Sequence, residues 1–331
     1  MKCANKYLFF GVLFFMTCFL GWFTRQIESF QDQTTIVSTM NATSGFYSML
    51  FFNLNHYLYC KRNQINFQLN TSNWLFKSHH GWTDYFLPIE LVYNNNTLPP
   101  CEKSHGDVLA DYNIHDYKEA IDDVYKYNER TLKNIDNIRQ QLGLPHEYDA
   151  IFIRRGDKLA EESKLISESS YMDILRSFSS NCRHLFVQTD DYICIHNLQK
   201  YIDIYHLPIK IYTLSTPEQV GVIVTGEQKT RLENASKTNE TNKTYLSDIM
   251  QQLQNTKPVD EMDEEEVYDH VITMIAGIEI LKHSHYCILD YQSNVSRFIK
   301  LFHTRPEHVI DVLQPHQDID YNKLICPSYS F

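Results

Sequence analysis

Apolar positions along this chain repeat with two different periods, and the order in which the periods alternate outlines an α/β protein. From Gly45 to Cys60 they recur at helical spacing (Phe46, Met49, Leu50, Leu54, Tyr57, Leu58), which predicts a helix. Asn66 to Leu69 reads as a short strand, and an aromatic-rich stretch from Asn73 through Trp82 to Ile89 shows no clear period. Residues 114–142 predict one long amphipathic helix, or two, closed by Gly143 and Pro145. From Tyr148 onward strands and helices alternate. Strands are predicted at Ala150–Ile153, His184–Gln188, Ile209–Thr213 and His285–Leu289, and helices at 167–179, 193–203, 267–282 and from Val295 to Phe302. That alternation points to a parallel sheet covered by helices. Residues 226–262 break it. They are polar, carry sequons and end in an acidic run, so they read as an exposed insertion with at most a short helix around Tyr245 to Leu253.

The amino-terminal end has a third character. Tyr7 to Phe23 is a continuous uncharged apolar run, at the short end of the roughly 17–25 residues that span a bilayer. Lys2 and Lys6 precede it, which keeps residues 1–6 cytoplasmic and directs the rest of the chain to the lumen. A cleaved signal peptide is the rival reading. The run ends in Gly21-Trp22-Phe23 with no small-x-small site, which favours an uncleaved anchor over 7–23. Residues 24–44, polar and without strong periodicity, read as a stem. Sequons at Asn41, Asn70, Asn95, Asn234, Asn239, Asn242 and Asn294 agree with a lumenal body in the secretory pathway. Six cysteines follow the anchor (Cys60, Cys101, Cys182, Cys194, Cys287, Cys326). They allow 15 pairings by combinatorics, and none is singled out; their spacing has no C-x-x-C, which disfavours zinc.

Composition narrows the function. The 331 residues suffice for one large or two ordinary domains, and 43% hydrophobic with 21% charged residues is globular. A formal net charge of -11 argues against non-specific nucleic-acid binding. With 10 glycines and neither G-x-G-x-x-G nor G-x-x-x-x-G-K-[ST], a dinucleotide fingerprint or P-loop is not expected. Ligands of open parallel sheets bind outside the carboxyl ends of the strands. There the chain places Arg154-Arg155-Gly156-Asp157-Lys158, then Thr189-Asp190-Asp191, then Gln292-Ser293-Asn294 at the start of a helix. Two arginines, a lysine, a hydroxyl and a helix amino terminus suit a diphosphate. In an acidic protein, this local cationic cluster is the informative departure.

Other readings of the same residues exist. Arg154 and Arg155 could be structural partners of Asp190 and Asp191. Arg155-Gly156-Asp157 is an RGD tripeptide, but it follows a buried strand instead of sitting on a loop tip. His283 and His285 have the spacing of strand-end ligands without a third partner. Asp318-Ile319-Asp320 has the D-x-D form of metal-binding sugar transferases but falls in a polar tail, so no metal site is expected.

Four ordered segments resemble the α1,6-fucosyltransferase family. Ile153 to Met172 (IRRGDKLAEESKLISESSYM) resembles its H-x-R-R-x-D-K motif followed by a Glu and Y-M. Phe186 to Asp191 (FVQTDD) resembles its strand ending in T-D-D, and His285 to Arg297 (HYCILDYQSNVSR) its S-S-[QN]-V-x-R segment. Upstream, Asn73-Trp74 and His80 to Ile89 (HGWTDYFLPI) resemble N-W and G-G-W-E-x-x-F-x-P-[VI]. The resemblance covers about residues 45–305.

The resemblance implies a GT-B-like fold of two α/β domains, here about 45–145 and 146–331, the second a Rossmann-like parallel sheet. It implies inverting, metal-independent transfer of fucose from GDP-fucose, with no cofactor, to a glycan or glycoprotein acceptor such as the core GlcNAc of an N-glycan. Golgi residence as a type II membrane protein is expected. Arg154 and Arg155 would bind the diphosphate, with Arg154 the more sensitive; Ser293 and Asn294 would lie at the phosphates or the acceptor. Asp157, Asp190 and Asp191 would shape the donor pocket. Glu162 would be the general base and Lys158 its partner, since a positioned carboxylate can take the proton of an attacking sugar hydroxyl. The chain departs from the family at Phe152, where a His is usual, and near Gly277, where an Asp that helps read guanine would fall; Glu279 or Asp269 could substitute. Neither the coiled-coil stem nor the SH3 domain of animal members is expected. A transferase for another nucleotide sugar, or a glycan-binding membrane protein without catalysis, are the alternative expectations.

Overall fold

The computed structural model describes residues 35–41, 44–93, 101–102, 112–155, 165–217, 225–238 and 256–316. The apolar run 7–23, the residues Asp157, Lys158 and Glu162, the segment 245–253 and Asp318–Asp320 lie outside them. No helix among the described residues is long and apolar enough to cross a membrane.

Two parallel sheets organise the chain. The first has the order β2–β1–β3, with β1 at Thr35–Thr39, β2 at Asn66–Asn70 and β3 at Cys101–Glu102. Helix α1 (Phe46–Asn63) makes the crossover from β1 to β2, whose register runs from Thr35↔Asn66 to Thr39↔Asn70. Finding β1 here overturns the stem reading of 24–44 for residues 35–39. Its buried face carries Ile36 and Ser38, and Ser38 bonds to Asn53 of α1 and to His56 Nδ1 at 2.6 Å. A strand that buries a hydroxyl shows no apolar alternation, so its pattern is invisible in the sequence.

Helices α2 (Ile114–Val124) and α3 (Glu129–Leu142) follow, so the long amphipathic stretch is two helices. They are separated because Asn128 caps α3, its side chain accepting the Thr131 N–H at 2.8 Å, while Tyr127 pairs with Phe86 in an isolated bridge. Gly143 ends α3 in the left-handed region at φ 61°.

The second sheet has the order β6–β5–β4–β7–β8, all parallel. Its elements are β4 (Asp149–Ile153), α4 (Glu168–Phe178), β5 (His184–Thr189), α5 (Ile193–Ile204), β6 (Lys210–Thr213), α6 (Gly226–Thr238), α7 (Glu264–Lys282), β7 (Cys287–Leu289), α8 (Asn294–Phe302) and β8 (Val309–Asp311). The chain starts at the centre, winds out to β6, and returns to the other side of β4 with β7, so the topological switch lies between β4 and β7. Two elements differ from expectation. Helix α6 occupies 226–238, where no helix was expected. Strand β8 lies beyond the last element read from the sequence; three residues are too few to display a period.

Strand alternation sends side chains to two layers. Ile151, Ile153, Leu185, Val187 and Ile288 pack with Met172, Leu175, Leu198 and Ile202 of α4 and α5. Ala150, Phe152, Phe186, Cys287 and Leu289 face the other way, into a core continuous with α1, α2 and α7. Aromatic rings bridge the two sheets there. Phe298 of α8 lies 4.7 Å from the Tyr47 ring of α1 and 4.8 Å from Tyr125, and Tyr85 stacks on Tyr268 of α7 at 5.5 Å. The hydroxyls of Tyr47 and Tyr125 bond to each other at 2.9 Å in this core. Cys182, Cys194 and Cys287 are buried thiols, and burial pushes each well above the ordinary cysteine value.

His303, just beyond α8, is a buried polar group of the same core. Its Nδ1 accepts the Arg305 N–H at 3.0 Å, and its Nε2 lies 3.3 Å from Ser284 Oγ. Burial pushes this imidazole down to about 4, and the charges of Arg305, His308 and His283 act in the same sense. The unfolded chain therefore takes up a proton near pH 6.5 that the folded chain refuses until about 4. Stability from this group should be intact above 6.5 and fall as pH drops through that window. Denaturant unfolding at stepped pH will show it, and His303→Gln should flatten the slope.

Candidate functional site

The carboxyl edge of the second sheet, at the switch between β4 and β7, gathers most of the described residues singled out by sequence. Arg155 continues the row of Ile151 and Ile153 and turns toward α4. Its guanidinium is 4% exposed and donates to Ile166 O at 2.7 Å and Glu168 Oε1 at 3.0 Å. Its main-chain N–H donates to Asp190 Oδ1 at 2.7 Å. Arg154 continues the row of Ala150 and Phe152, on the layer shared with the first sheet, and its guanidinium pairs with the other oxygen of Asp190. One carboxylate at the end of β5 thus fixes both residues that end β4.

Asp191 plays a different part. Its Oδ1 accepts the Ile193 N–H at 3.0 Å, and its own N–H donates to Thr189 Oγ1 at 3.1 Å, so it shapes the turn into α5 while 1% exposed. Ser293 caps α8, its Oγ accepting the Ser296 N–H at 3.1 Å, and Asn294 Oδ1 accepts from Arg297 Nη1 at 3.1 Å. The first turn of α8 holds no acidic residue, so its amino end keeps its partial positive charge at the switch point. These placements alter two expectations. Arg155 is committed to a buried ion pair and does not present itself as a diphosphate ligand in this geometry. Asp191 is buried and forms the turn into α5.

Residues not singled out by sequence also converge here. Asp290 directly follows β7 and Asp311 ends β8. Burial pushes the Asp290 carboxyl up and Asp311 adds to this, while the Gln292 N–H and the charges of Arg155 and Arg297 pull it back. Burial likewise raises Asp311. Glu168, which neutralises Arg155, has no sequence signal beyond its place in the first turn of α4. Asp290 was visible within HYCILDYQSNVSR, since it directly follows the strand.

The residues expected to read a base are not brought to this edge. Phe152 is 6% exposed and packs in the core, where it offers no hydrogen bond. A Cβ at Gly277 would lie 2.4 Å from Gln188 Oε1, so a side chain there requires the Gln188 amide to move aside. Asp269 is exposed on α7, and Glu279 accepts from Tyr127 Oη at 3.0 Å and pairs with His283 at 3.0 Å. Asp157, Lys158 and Glu162 lie outside the described residues. Among the described residues no cluster of three or more His, Cys, Asp or Glu could hold a metal.

No protein-family model matches the chain, and no curated protein matches it in sequence at a significant level. Solved structures do share its fold. Fucosyltransferase NodZ from Bradyrhizobium superposes with a TM-score of 0.51 at 8% identity, covering 87% of this chain and 98% of that one. Crystals of NodZ α-1,6-fucosyltransferase soaked with GDP-fucose or co-crystallised with GDP superpose with a TM-score of 0.49 at 8% identity, covering 82% of this chain and 93% of those. The chain thus has an α/β fold with parallel sheets similar to that of this fucosyltransferase.

The buried pair yields a test. Arg155→Met should cost about 3–5 kcal/mol by leaving Glu168 uncompensated in a low-dielectric site. Adding Glu168→Leu should recover most of that loss. Guanidinium unfolding of the two single variants and the double variant measures the coupling.

Proposed function

We propose that this protein is a glycosyltransferase that moves fucose from GDP-fucose to a glycan hydroxyl. The observation that carries the reading is Arg154, held by Asp190 at the carboxyl end of the central strand, beside the topological switch where α8 begins. Cation, hydroxyl and helix amino terminus are what a departing nucleoside diphosphate requires as its charge develops. The fold shared with a fucosyltransferase and the ordered resemblance of four segments support the same class.

In this reading Arg154 and the amino end of α8 bind the diphosphate, with Ser293 and Asn294 beside it. Asp190 orients Arg154, and Arg155 acts from beneath by fixing the end of β4. Lys158 and Glu162 follow within eight residues of Arg154 in the sequence. Glu162 takes the proton of the attacking hydroxyl and Lys158 sets its charge, so the sugar inverts in one displacement without a metal. The proposal extends to a lumenal catalytic body of two domains anchored in a Golgi membrane by residues 7–23. Phe152 and Gly277, which stand where the resembled family has a His and an Asp, favour one second reading, a donor with a different base or sugar.

Purified full-length protein in detergent, offered GDP- and UDP-sugars with a biantennary N-glycan in EDTA, should release GDP only from GDP-fucose and only with the glycan. Arg154→Ala should lower kcat/KM by about 10²–10³-fold, the loss typical of one transition-state donor. Glu162→Gln should abolish transfer and leave GDP binding intact. Release from another donor alone would establish the second reading, and retained turnover in Glu162→Gln would remove that residue from the mechanism.

A further inference from the structure

A second cavity lies away from the strand ends just described. It is a groove of about 620 Å³ between the carboxyl ends of β1 and β2 on one side and the segment leading into α7 on the other. Met40, just past β1, and Asn73 and Trp74, past β2, line one wall; Asp260, Met262 and Glu264 line the other. Both halves of the molecule therefore build it, and it occupies the carboxyl side of the first sheet, where ligands of parallel sheets bind.

Local structure holds the walls in place. Asp84 accepts four successive main-chain N–H groups, from Ser78, His79, His80 and Gly81, at 2.9 to 3.1 Å. Gly81 sits at φ 84°, a conformation that favours glycine, and closes this turn. Ser78 Oγ then donates to Glu264 O at 2.9 Å, and His79 Nδ1 lies 2.8 Å from Glu264 Oε2. The loop after β2 is thus tied to the amino end of α7 across the groove. Asp260 accepts the Gly226 N–H through both oxygens at 3.2 Å, which attaches the start of α6 to the same rim.

The chemistry of the lining excludes one ligand class and suits another. Two carboxylates, Asp260 and Glu264, face a single ammonium, that of Lys77, which is already bonded to Ser72 O at 2.7 Å. A diphosphate would be repelled. A neutral molecule rich in hydroxyls would donate to the carboxylates and accept from Asn73, while its C–H faces meet Met40 and Met262. Trp74 adds an independent sign. Its ring is 2% exposed, and its Nε1 has no hydrogen-bond partner among the described residues. A buried indole N–H without an acceptor is costly, and a small tilt of the ring toward the groove would let a ligand oxygen remove that cost.

We propose that this groove is a saccharide-binding site. It rests on the transferase reading only in being assigned to the acceptor, which it separates from the donor edge of the second sheet. The occupant is a neutral oligosaccharide whose hydroxyls span the Trp74 wall and the α7 wall.

The test uses the full-length chain, calorimetry with a free biantennary N-glycan, and GDP as a separate probe. Asn73→Trp, at an exposed lining position, should weaken glycan binding at least ten-fold by filling the groove, with GDP affinity unchanged. Glu264→Gln should weaken it roughly three- to ten-fold, the worth of one charge-assisted hydrogen bond. Trp74→Phe should do the same if its melting temperature matches the parent. Absence of glycan binding by the parent chain, unchanged affinity in Asn73→Trp, or binding of an unglycosylated peptide in place of the glycan would each overturn the proposal. Glycan binding that depends on Asn73, together with failure to bind GDP, would keep the groove and remove the transferase reading.

Discussion

A guanidinium buried at the end of a central strand constrains everything around it. Arg155 is 4% exposed, and an ion in that position needs both an opposite charge and hydrogen bonds for its remaining protons. Glu168 and the Ile166 carbonyl meet that need from α4, and Asp190 takes the main-chain N–H from β5. Three elements are thereby fixed at one point. Because successive residues of an extended segment point to opposite sides, committing Arg155 to the α4 layer sends Arg154 to the other layer. The order of the two arginines thus decides which of them packs against α4 and which pairs with Asp190 on the other layer.

Much of the second sheet was legible in the sequence because its strands are apolar on both faces and its helices carry ordinary caps. Ser167, Asp263 and Ser293 each stand where a helix begins, and their side chains accept the first amides. The first sheet was harder to read. Strand β1 buries Ser38 against Asn53 and His56, so polar residues do the work that an apolar stripe does elsewhere. The candidate site was legible as a set of residue types after strands, but not as a division of labour. Nothing in Arg154-Arg155 announces which side chain faces inward; that depends on Glu168, which lies thirteen positions away from Arg155. Asp290 and Asp311 were passed over because their common feature is proximity across two strand ends.

The two sheets share one apolar core. Rings from α1, the loop after β2, α7 and α8 interlock, and the Tyr47 and Tyr125 hydroxyls buried among them bond to each other instead of to water. Interfaces between domains are usually more polar and allow relative motion. A continuous aromatic interface opposes it. Geometry between the strand edge and the groove across the sheets is then set largely by packing.

Three buried thiols lead in another direction. Cys287 sits in β7 between β4 and β8, Cys194 in α5, and Cys182 just before β5, all buried and held in the neutral form. Only a thiolate exchanges with disulfides, so the native molecule is inert to oxidants at these positions. Its unfolded chain is not, since the same sulfurs regain an ordinary cysteine's acidity once water reaches them. In an oxidising medium the chain therefore has a limited time in which to fold, because each sulfur must be enclosed before it is captured in a wrong pairing. Once enclosed, it is kept reduced by exclusion of water, without a reductant.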